Sequence, residues 1–268
     1  MYKITLIVLS ALVSVMLAFG ASAQGSMTGN AIAKRIADRP NADPRKGTIT
    51  FVMRDGSRSR TRAAKMLRTE TGSTHRLLLA FNTPASIRGT SFLSFDHKAP
   101  GKADETWLYL PATSRTRRVP ASDRSDSFMG TELSYGDVKD SFIFGLEDYT
   151  FSSGGRAGNG RFVLRGKAKS PKIAREIGYG GFTAEVDPST WFPRTITFSD
   201  PRGRRLKTIS VRKLEKVGSS WTATNFTVTN HVSGRATIVT VSELARASGV
   251  SKVVFDPARL DRAFGRMP

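Results

Sequence analysis

Cysteine is absent from the 268 residues. That excludes a disulfide framework, a thiolate zinc site, a cysteine nucleophile and lipidation of an N-terminal cysteine. Histidine is scarce. His75, His97 and His231 are the whole set, and no two stand at metal-ligand spacing. His97 lies near Asp96, Asp104 and Glu105, which a polar loop explains. There is no G-x-S-x-G elbow, and Gly158-Asn159-Gly160 completes neither a dinucleotide fingerprint nor a P-loop. The acidic pair Glu147-Asp148 occupies adjacent positions, which does not aim two carboxylates at one substrate. These lacks argue against an enzyme, and no metal or cofactor is expected.

Negative charge is also short. Asp and Glu total 22 against 42 Lys and Arg, a formal net charge of +20. Such an excess points to nucleic acid or to an anionic membrane surface. The N-terminus decides between them. Lys3, the apolar run Ile4 to Phe19 and Ala21-Ser22-Ala23 have the order of a secretory signal with its cleavage site, so residues 1–23 are expected to be a cleaved signal peptide. The run is short for a bilayer-spanning helix, and no second one follows. An exported chain meets lipid head groups rather than nucleic acid. A solvated cationic surface that only aids solubility is the alternative.

What remains, residues 24–268, reads as one domain made mostly of short strands. Thr28 to Asp38 has helical signals, with a capping Thr28 or Asn30, Ile32 and Ile36 one turn apart, and Arg39-Pro40 as the stop. From Gly47 the pattern alternates. Asp55-Gly56 is a hairpin turn between Thr48–Arg54 and Ser57–Arg68, and His75–Asn82 is a third strand. His97 to Glu105, with Pro100-Gly101, is a loop. Phe142 to Tyr149 is ambiguous between strand and helix, and Phe151 to Gly160 is predicted to be a flexible loop. Asp256-Pro257 to Phe264 has the signals of a short capped helix with proline at its first position. About a dozen strands with no long helices between them exclude parallel βαβ units. Such an antiparallel meander must curl, close or be covered, and a mainly β fold with a curled sheet wrapped around one or two short helices fits these elements.

The most informative stretch is Trp107 to Val138. Alternation puts Trp107 and Tyr109 on one face and Leu108 and Leu110 on the other, so both faces are apolar and covered. A basic segment with Arg115, Arg117 and Arg118 follows, then a Ser/Asp loop, then Phe128-Met129-Gly130 and Ser134-Tyr135-Gly136-Asp137. An exposed Phe-Met pair is costly unless it covers something apolar. Trp107, Tyr109, Phe128 and Met129 are therefore the candidate lipid-binding residues. For Trp107 and Tyr109 an ordinary place in the sheet core is the alternative, and for Phe128 and Met129 a core role stands equally beside the ligand contact. Arg117 and Arg118 are candidates for a head group or partner at the rim, with a solvated strand edge or an ion pair to Asp123, Asp126 or Asp137 as the alternative. On this reading Phe128→Ser with Met129→Ser weakens lipid retention and leaves the fold intact.

Several motifs in fixed order resemble the outer-membrane lipoprotein-sorting protein family with the LolA-like fold. They are Asp55-Gly56, Pro84 with Arg88-Gly89-Thr90, Trp107 to Pro111, Arg117-Arg118, Phe128 to Thr131 and Ser134 to Val138. Trp191-Phe192-Pro193, Asp200 to Thr208 and Thr229-Asn230-His231 with Ser233-Gly234 continue the series. The resemblance implies a periplasmic protein with a curved, open antiparallel sheet, a half-barrel wrapped around short helices, whose cavity carries acyl chains of a lipid or lipoprotein between membranes, with an inner-membrane exporter of the resistance-nodulation type as a partner. It also implies a second role, a periplasmic sensor or adaptor that regulates a partner.

Overall fold

A computed structural model describes residues 27–41, 43–97, 102–140 and 142–268. The signal-peptide segment and Pro100-Gly101 lie outside the described residues. Among those described, thirteen strands form one antiparallel sheet. The chain enters through a helix, α1 (Gly29–Ala37), and then lays down β1 (Arg45–Asp55), β2 (Arg58–Thr71), β3 (Thr74–Thr83), β4 (Ser91–His97), β5 (Glu105–Leu110) and β6 (Arg115–Arg118) as a meander running outward to one edge. Residues 119–148 then cross over, carrying a short helix, α2 (Tyr135–Asp140). They deliver the chain to the opposite edge at β7 (Tyr149–Arg156). From there β8 (Phe162–Ala168), a helix α3 (Pro171–Ile177), β9 (Gly181–Val186), β10 (Pro193–Ser199), β11 (Arg205–Val217), β12 (Ser220–Asn230) and β13 (Ala236–Arg246) run back inward. β13 pairs with β1, and β6 and β7 remain the free edges of an open half-barrel. This is the expected fold class.

The period-2 pattern assigns the two faces. On the inner face Phe51 of β1, Phe81 of β3, Phe92 of β4, Leu164 of β8 and Val239 of β13 are each at most 1% exposed, and they join one continuous core. α1 fills part of the concavity with Ile32, Ala33 and Ile36. Thr28 caps it by accepting from the Ala31 N–H at 3.2 Å, so the capping signal in the sequence is used. The crossover fills the remainder with Phe128, Leu133, Tyr135, Val138 and Phe144. On the outer face Leu67, Leu78, Ala80 and Leu93 make a second core. The C-terminal segment covers it with Phe255, Leu260, Ala263 and Met267. Asp256 caps that segment through the Ala258 N–H at 2.9 Å, and Pro257 opens it. Its first six residues, Pro257–Arg262, are 3-10 rather than α; only Ala263–Arg266, the last helix α4, is α-helical.

Two expectations change. Phe151 to Gly160 is not simply a loop, because Tyr149–Arg156 is the edge strand β7. Its pairing with β8 shifts between Ser153 and Arg156, and Gly155 takes φ +79° there, so the glycines build a bulge in an edge strand. Phe142 to Tyr149 forms no helix and enters a strand only at Tyr149, its last residue.

Gly29 shows why α1 starts where it does. A Cβ there would lie 2.5 Å from the backbone of Ser152, so the helix end rests directly on β7. Gly29→Ala is expected to push α1 off the sheet and cost about 1–3 kcal/mol, the usual range for overpacking. Urea unfolding measures it, and wild-type stability in the variant would refute the close approach.

Candidate functional site

A cavity lies between the inner face of the sheet and the crossover. Its water-accessible interior is about 140 Å³, and the unfilled space out to and including its open rim is about 1420 Å³. The walls are mainly apolar. Ile49, Phe51, Met66 and Leu79 come from the first half of the sheet, and Ile196, Ile209, Phe226 and Val241 from the second. The crossover contributes Leu133, Val138, Phe142 and Phe144. Phe142 packs at 5.1 Å from both Phe192 and Phe226, and Phe144 stacks on Phe182 at 4.0 Å. The segment that looked ambiguous in sequence is thus an irregular strap whose aromatic rings face inward.

Polar groups gather at three places in this apolar wall. The first is a buried knot that ties α2 to the sheet. The Asp137 carboxylate pairs with Lys207 of β11, and the two side chains are 5% and 6% exposed. It also accepts from the Tyr179 hydroxyl at 2.9 and 3.1 Å and from the Ser134 N–H at 2.7 Å. The Ser134 hydroxyl accepts from the Asp137 N–H at 3.1 Å, which completes a capping box at the start of α2. Burial and the Asp137 charge raise the Tyr179 phenol well above its ordinary range, so it stays a donor. The second is an ion pair, Arg124 to Asp148 at 3.1 Å, which joins the two ends of the crossover. Lys139 adds a third tie from α2 by pairing with Asp104. Burial opposes ionisation of Asp104, but Lys139 outweighs it and holds the carboxyl below its usual range.

The third place is a group of arginines, Arg39, Arg45 and Arg68, with Asn41 among them. Arg45 is 2% exposed and Arg68 9%. Arg39 donates to the carbonyls of Ile36 at 3.1 Å and Phe142 at 2.9 Å, and its guanidinium lies 4.3 Å above the Phe192 ring. Arg45 donates to the Asp43 carbonyl at 3.1 Å and to the Asn41 side chain. Asn41 in turn meets the buried His75 at 2.6 Å. Burial, and next the nearby Arg68, push both the Arg39 and Arg45 guanidiniums down to about 9. They remain charged at neutral pH.

The structure places the sequence-derived candidates elsewhere. Trp107 and Tyr109 point to the outer face and pack against the core under the C-terminal segment, with Trp107 5.1 Å from Phe95. Their strand partner Leu108 faces the inner core instead. Phe128 is fully buried in a ring cluster beside the cavity, 5.0 Å from Phe92 and 5.5 Å from Tyr135. Its turn is fixed by hydrogen bonds from the Phe128 N–H to Leu133 O at 2.7 Å and from the Thr131 hydroxyl to Phe128 O at 2.7 Å. This is a packed corner rather than a mobile loop. Met129 is half-buried on the same core, in left-handed backbone at φ +51°. Arg117 and Arg118 lie on the exposed edge strand β6. Arg118 pairs with Glu105 at 3.5 Å, and Arg117 lies against Tyr135. None of these six residues lines the cavity. The arginine group was missed, yet its signal is present. Strict alternation from Phe51 back to Arg45, and from Met66 on to Arg68, puts both arginines on the apolar inner face.

Comparison with known proteins bears on what such a cavity is for. A family model described as "Uncharacterized protein" matches residues 73–262. No curated protein matches the chain. Among solved structures, an outer membrane lipoprotein-sorting protein domain from Vibrio parahaemolyticus is 28% identical over 86% of this chain and 97% of its own, with a TM-score of 0.77. A DUF1329 family protein from Desulfovibrio piger is 24% identical over 87% of this chain and 97% of its own, with a TM-score of 0.78. A LolA superfamily protein from Nitrosomonas europaea is 17% identical over 86% and 98%, with a TM-score of 0.64. The chain thus belongs to the family whose model spans residues 73–262, and it has the LolA-like fold.

Proposed function

We propose that the protein binds acyl chains of a lipid or lipoprotein in the inner cavity and carries them across the periplasm between the inner and outer membranes. The observation that carries this reading is the apolar wall formed jointly by the sheet and the crossover strap. Leaving a fourteen-carbon chain in water costs on the order of 11 kcal/mol, at about 0.8 kcal/mol per methylene, so a carrier must supply a dry apolar surface of this kind. The interior of about 140 Å³ is below the roughly 300–1,000 Å³ of a formed ligand site. Loading therefore moves the strap, and Phe142 and Phe144 are the rings that give way. An inner-membrane exporter of the resistance-nodulation type is the partner we assign to the loading step, and the cationic surface suits an anionic bilayer.

Native mass spectrometry of protein purified from the periplasm of its own host tests the binding step. A reproducible bound lipid or acylated peptide is expected, and transfer of that cargo from inner- to outer-membrane vesicles is expected to follow. Cargo that stays bound while the protein engages one partner differently with and without it would favour a sensor instead. Protein that remains empty after incubation with host vesicles and lipoproteins would refute the cavity reading.

A further inference from the structure

We infer that one rim of the half-barrel, set by Arg58, Arg60, Arg88, Arg115, Arg202 and Arg205, is a docking surface for a bilayer that contains anionic lipid. The inference goes beyond the cavity reading. It concerns a different part of the molecule and does not depend on what the cavity holds.

The sheet register gathers these arginines. Arg54 of β1 pairs with Ser59 of β2 on one side and with Ala236 of β13 on the other, so the β1–β2 and β12–β13 turns are neighbours at one end of the sheet. Ala63 opposite Thr83, and Ala80 opposite Ser91, bring the β3–β4 turn to that end. Leu110 opposite Arg115 adds the β5–β6 turn, next to it through Ser91 and Tyr109. Lys207 opposite Asn230, and Ser199 opposite Arg205, add the β10–β11 turn. Each of these turns carries an exposed arginine within it or on the next strand residue: Arg58, Arg88, Arg115, Arg202 and Arg235.

The positive charge of the rim is largely unopposed. The acids within its turns are Asp55 and Asp200. Asp200 is taken by Arg204 at 2.8 Å, and Glu132 of the crossover reaches Arg235 at 3.9 Å. The arginines of the proposed surface are exposed and form no ion pair among the described residues. At the other end of the sheet the signs are mixed. Asp43 accepts from the Ser219 hydroxyl in the β11–β12 turn at 2.7 Å, Asp187 stands in the β9–β10 turn, and Arg161 before β8 pairs with Glu185 at 3.4 Å. A coat of charge that only keeps the chain soluble has no need of such a difference between its ends.

The rim also has an apolar point. Val232, at the tip of the β12–β13 turn, is 65% exposed, more than any other large apolar side chain among the described residues. Asn230 holds the tip by accepting from the Val232 N–H at 2.9 Å and the Ser233 N–H at 3.1 Å. An apolar side chain among guanidiniums suits the boundary between head groups and acyl chains, where buried apolar area adds to electrostatic attraction. Interfaces between proteins are depleted of charge at their core. A planar anionic surface asks for charge without a close fit, which is what arginines spread over separate turns supply.

The test is co-sedimentation of the full mature chain with vesicles of phosphatidylcholine, alone or mixed with phosphatidylglycerol. Association with the mixed vesicles is expected to be at least about tenfold tighter, and to be lost at about 1 M salt, where the screening length is about 3 Å. Each arginine near such a surface is worth about fivefold, so Arg58→Gln with Arg205→Gln is expected to weaken binding about 25-fold. Lys102→Gln with Lys216→Gln makes the same change in net charge at the other end, and is expected to weaken it less than about threefold. Val232→Trp is expected to bind more tightly, with tryptophan emission that shifts to the blue on adding the mixed vesicles. All these side chains except Val232 are charged and exposed, so the variants are expected to fold as the wild type does. Equal losses for the two Gln pairs would mean a diffuse attraction and overturn the rim. No preference for phosphatidylglycerol would overturn it as well. Association with host inner-membrane vesicles that protease treatment abolishes, with none to pure lipid, would overturn the bilayer in favour of an acidic protein partner. Native mass spectrometry of the Arg58→Gln, Arg205→Gln variant is expected to find the same cargo as in the wild type, so an empty cavity refutes the carrier and not the rim.

Discussion

Phe128→Ala is expected to lower the unfolding free energy by about 3–5 kcal/mol, the range for truncating a buried aromatic ring. The ring is fully buried and meets Phe51, Phe81, Phe92 and Tyr135 at centroid distances of 5.0 to 6.1 Å. Phe51, Phe81 and Phe92 stand on β1, β3 and β4, so this side chain keys the crossover into the first half of the sheet, with Tyr135 beside it at 6.0 Å from Phe92. The cavity left behind cannot collapse easily, because three of the four ring neighbours are anchored to strands. Chemical denaturation of the empty protein checks it. Met129→Ala, at a half-buried position in the same turn, is expected to cost about 1 kcal/mol. Equal effects at the two positions would mean that the turn is loosely packed. The same burial changes the expectation for Phe128→Ser with Met129→Ser. That pair attacks the fold itself, and any loss of lipid would follow from unfolding rather than from a lost contact.

Asp137→Asn is expected to cost a similar amount, about 3–5 kcal/mol, for a different reason. It removes one member of a buried ion pair and leaves the Lys207 charge, 6% exposed, without its partner. Tyr179 and the Ser134 N–H lose their charged acceptor at the same time. Adding Lys207→Met to Asp137→Asn removes the stranded charge and is expected to recover a substantial part of the loss. The double-mutant cycle then gives a coupling of about 1–3 kcal/mol. Strict additivity would show that Lys207 reaches water in the variant and that the knot does not hold the crossover down. On the proposed function the strap moves to admit an acyl chain, so the folded double variant is also expected to exchange a bound acyl probe faster than the wild type.

Much of the scaffold was legible because local signals and tertiary structure agree. Ile32 and Ile36 one turn apart after a capping Thr28 name both the helix and its buried face. Asp55-Gly56 sets the β1–β2 hairpin, with Asp55 opposite Arg58 across a two-residue turn. The site was harder to find. At Trp107 to Leu110 both faces of the strand are apolar, so alternation separates Trp107 from Leu108 without saying which of them faces inward. That depends on the C-terminal segment covering the outer face of β2 to β5, a contact between distant parts of the chain. Phe128 carried a correct sign of an apolar environment, but an aromatic residue beside glycine looks the same in a loop and in a packed corner. The arginines were hidden by their abundance. In a chain with 42 basic residues, Arg45 and Arg68 stand out only when the period of their strands is followed residue by residue.

The seam between β1 and β13 has a consequence for how the chain acquires its structure. It pairs Thr48 with Ser242 and Arg54 with Ala236, so the first strand laid down finds its second neighbour only when the last one is present. Until then β1 is an open edge, and the inner face of β1 to β6 lacks the opposite wall of its core. Contacts so far apart in sequence make for slow folding, and an unpaired apolar edge during that interval invites association with other chains. A truncation that removes β13 therefore does more than shorten the sheet by one strand. It breaks the sheet into two halves, joined through the crossover and through α1 resting on β7, and it turns the inner apolar wall into an adhesive surface.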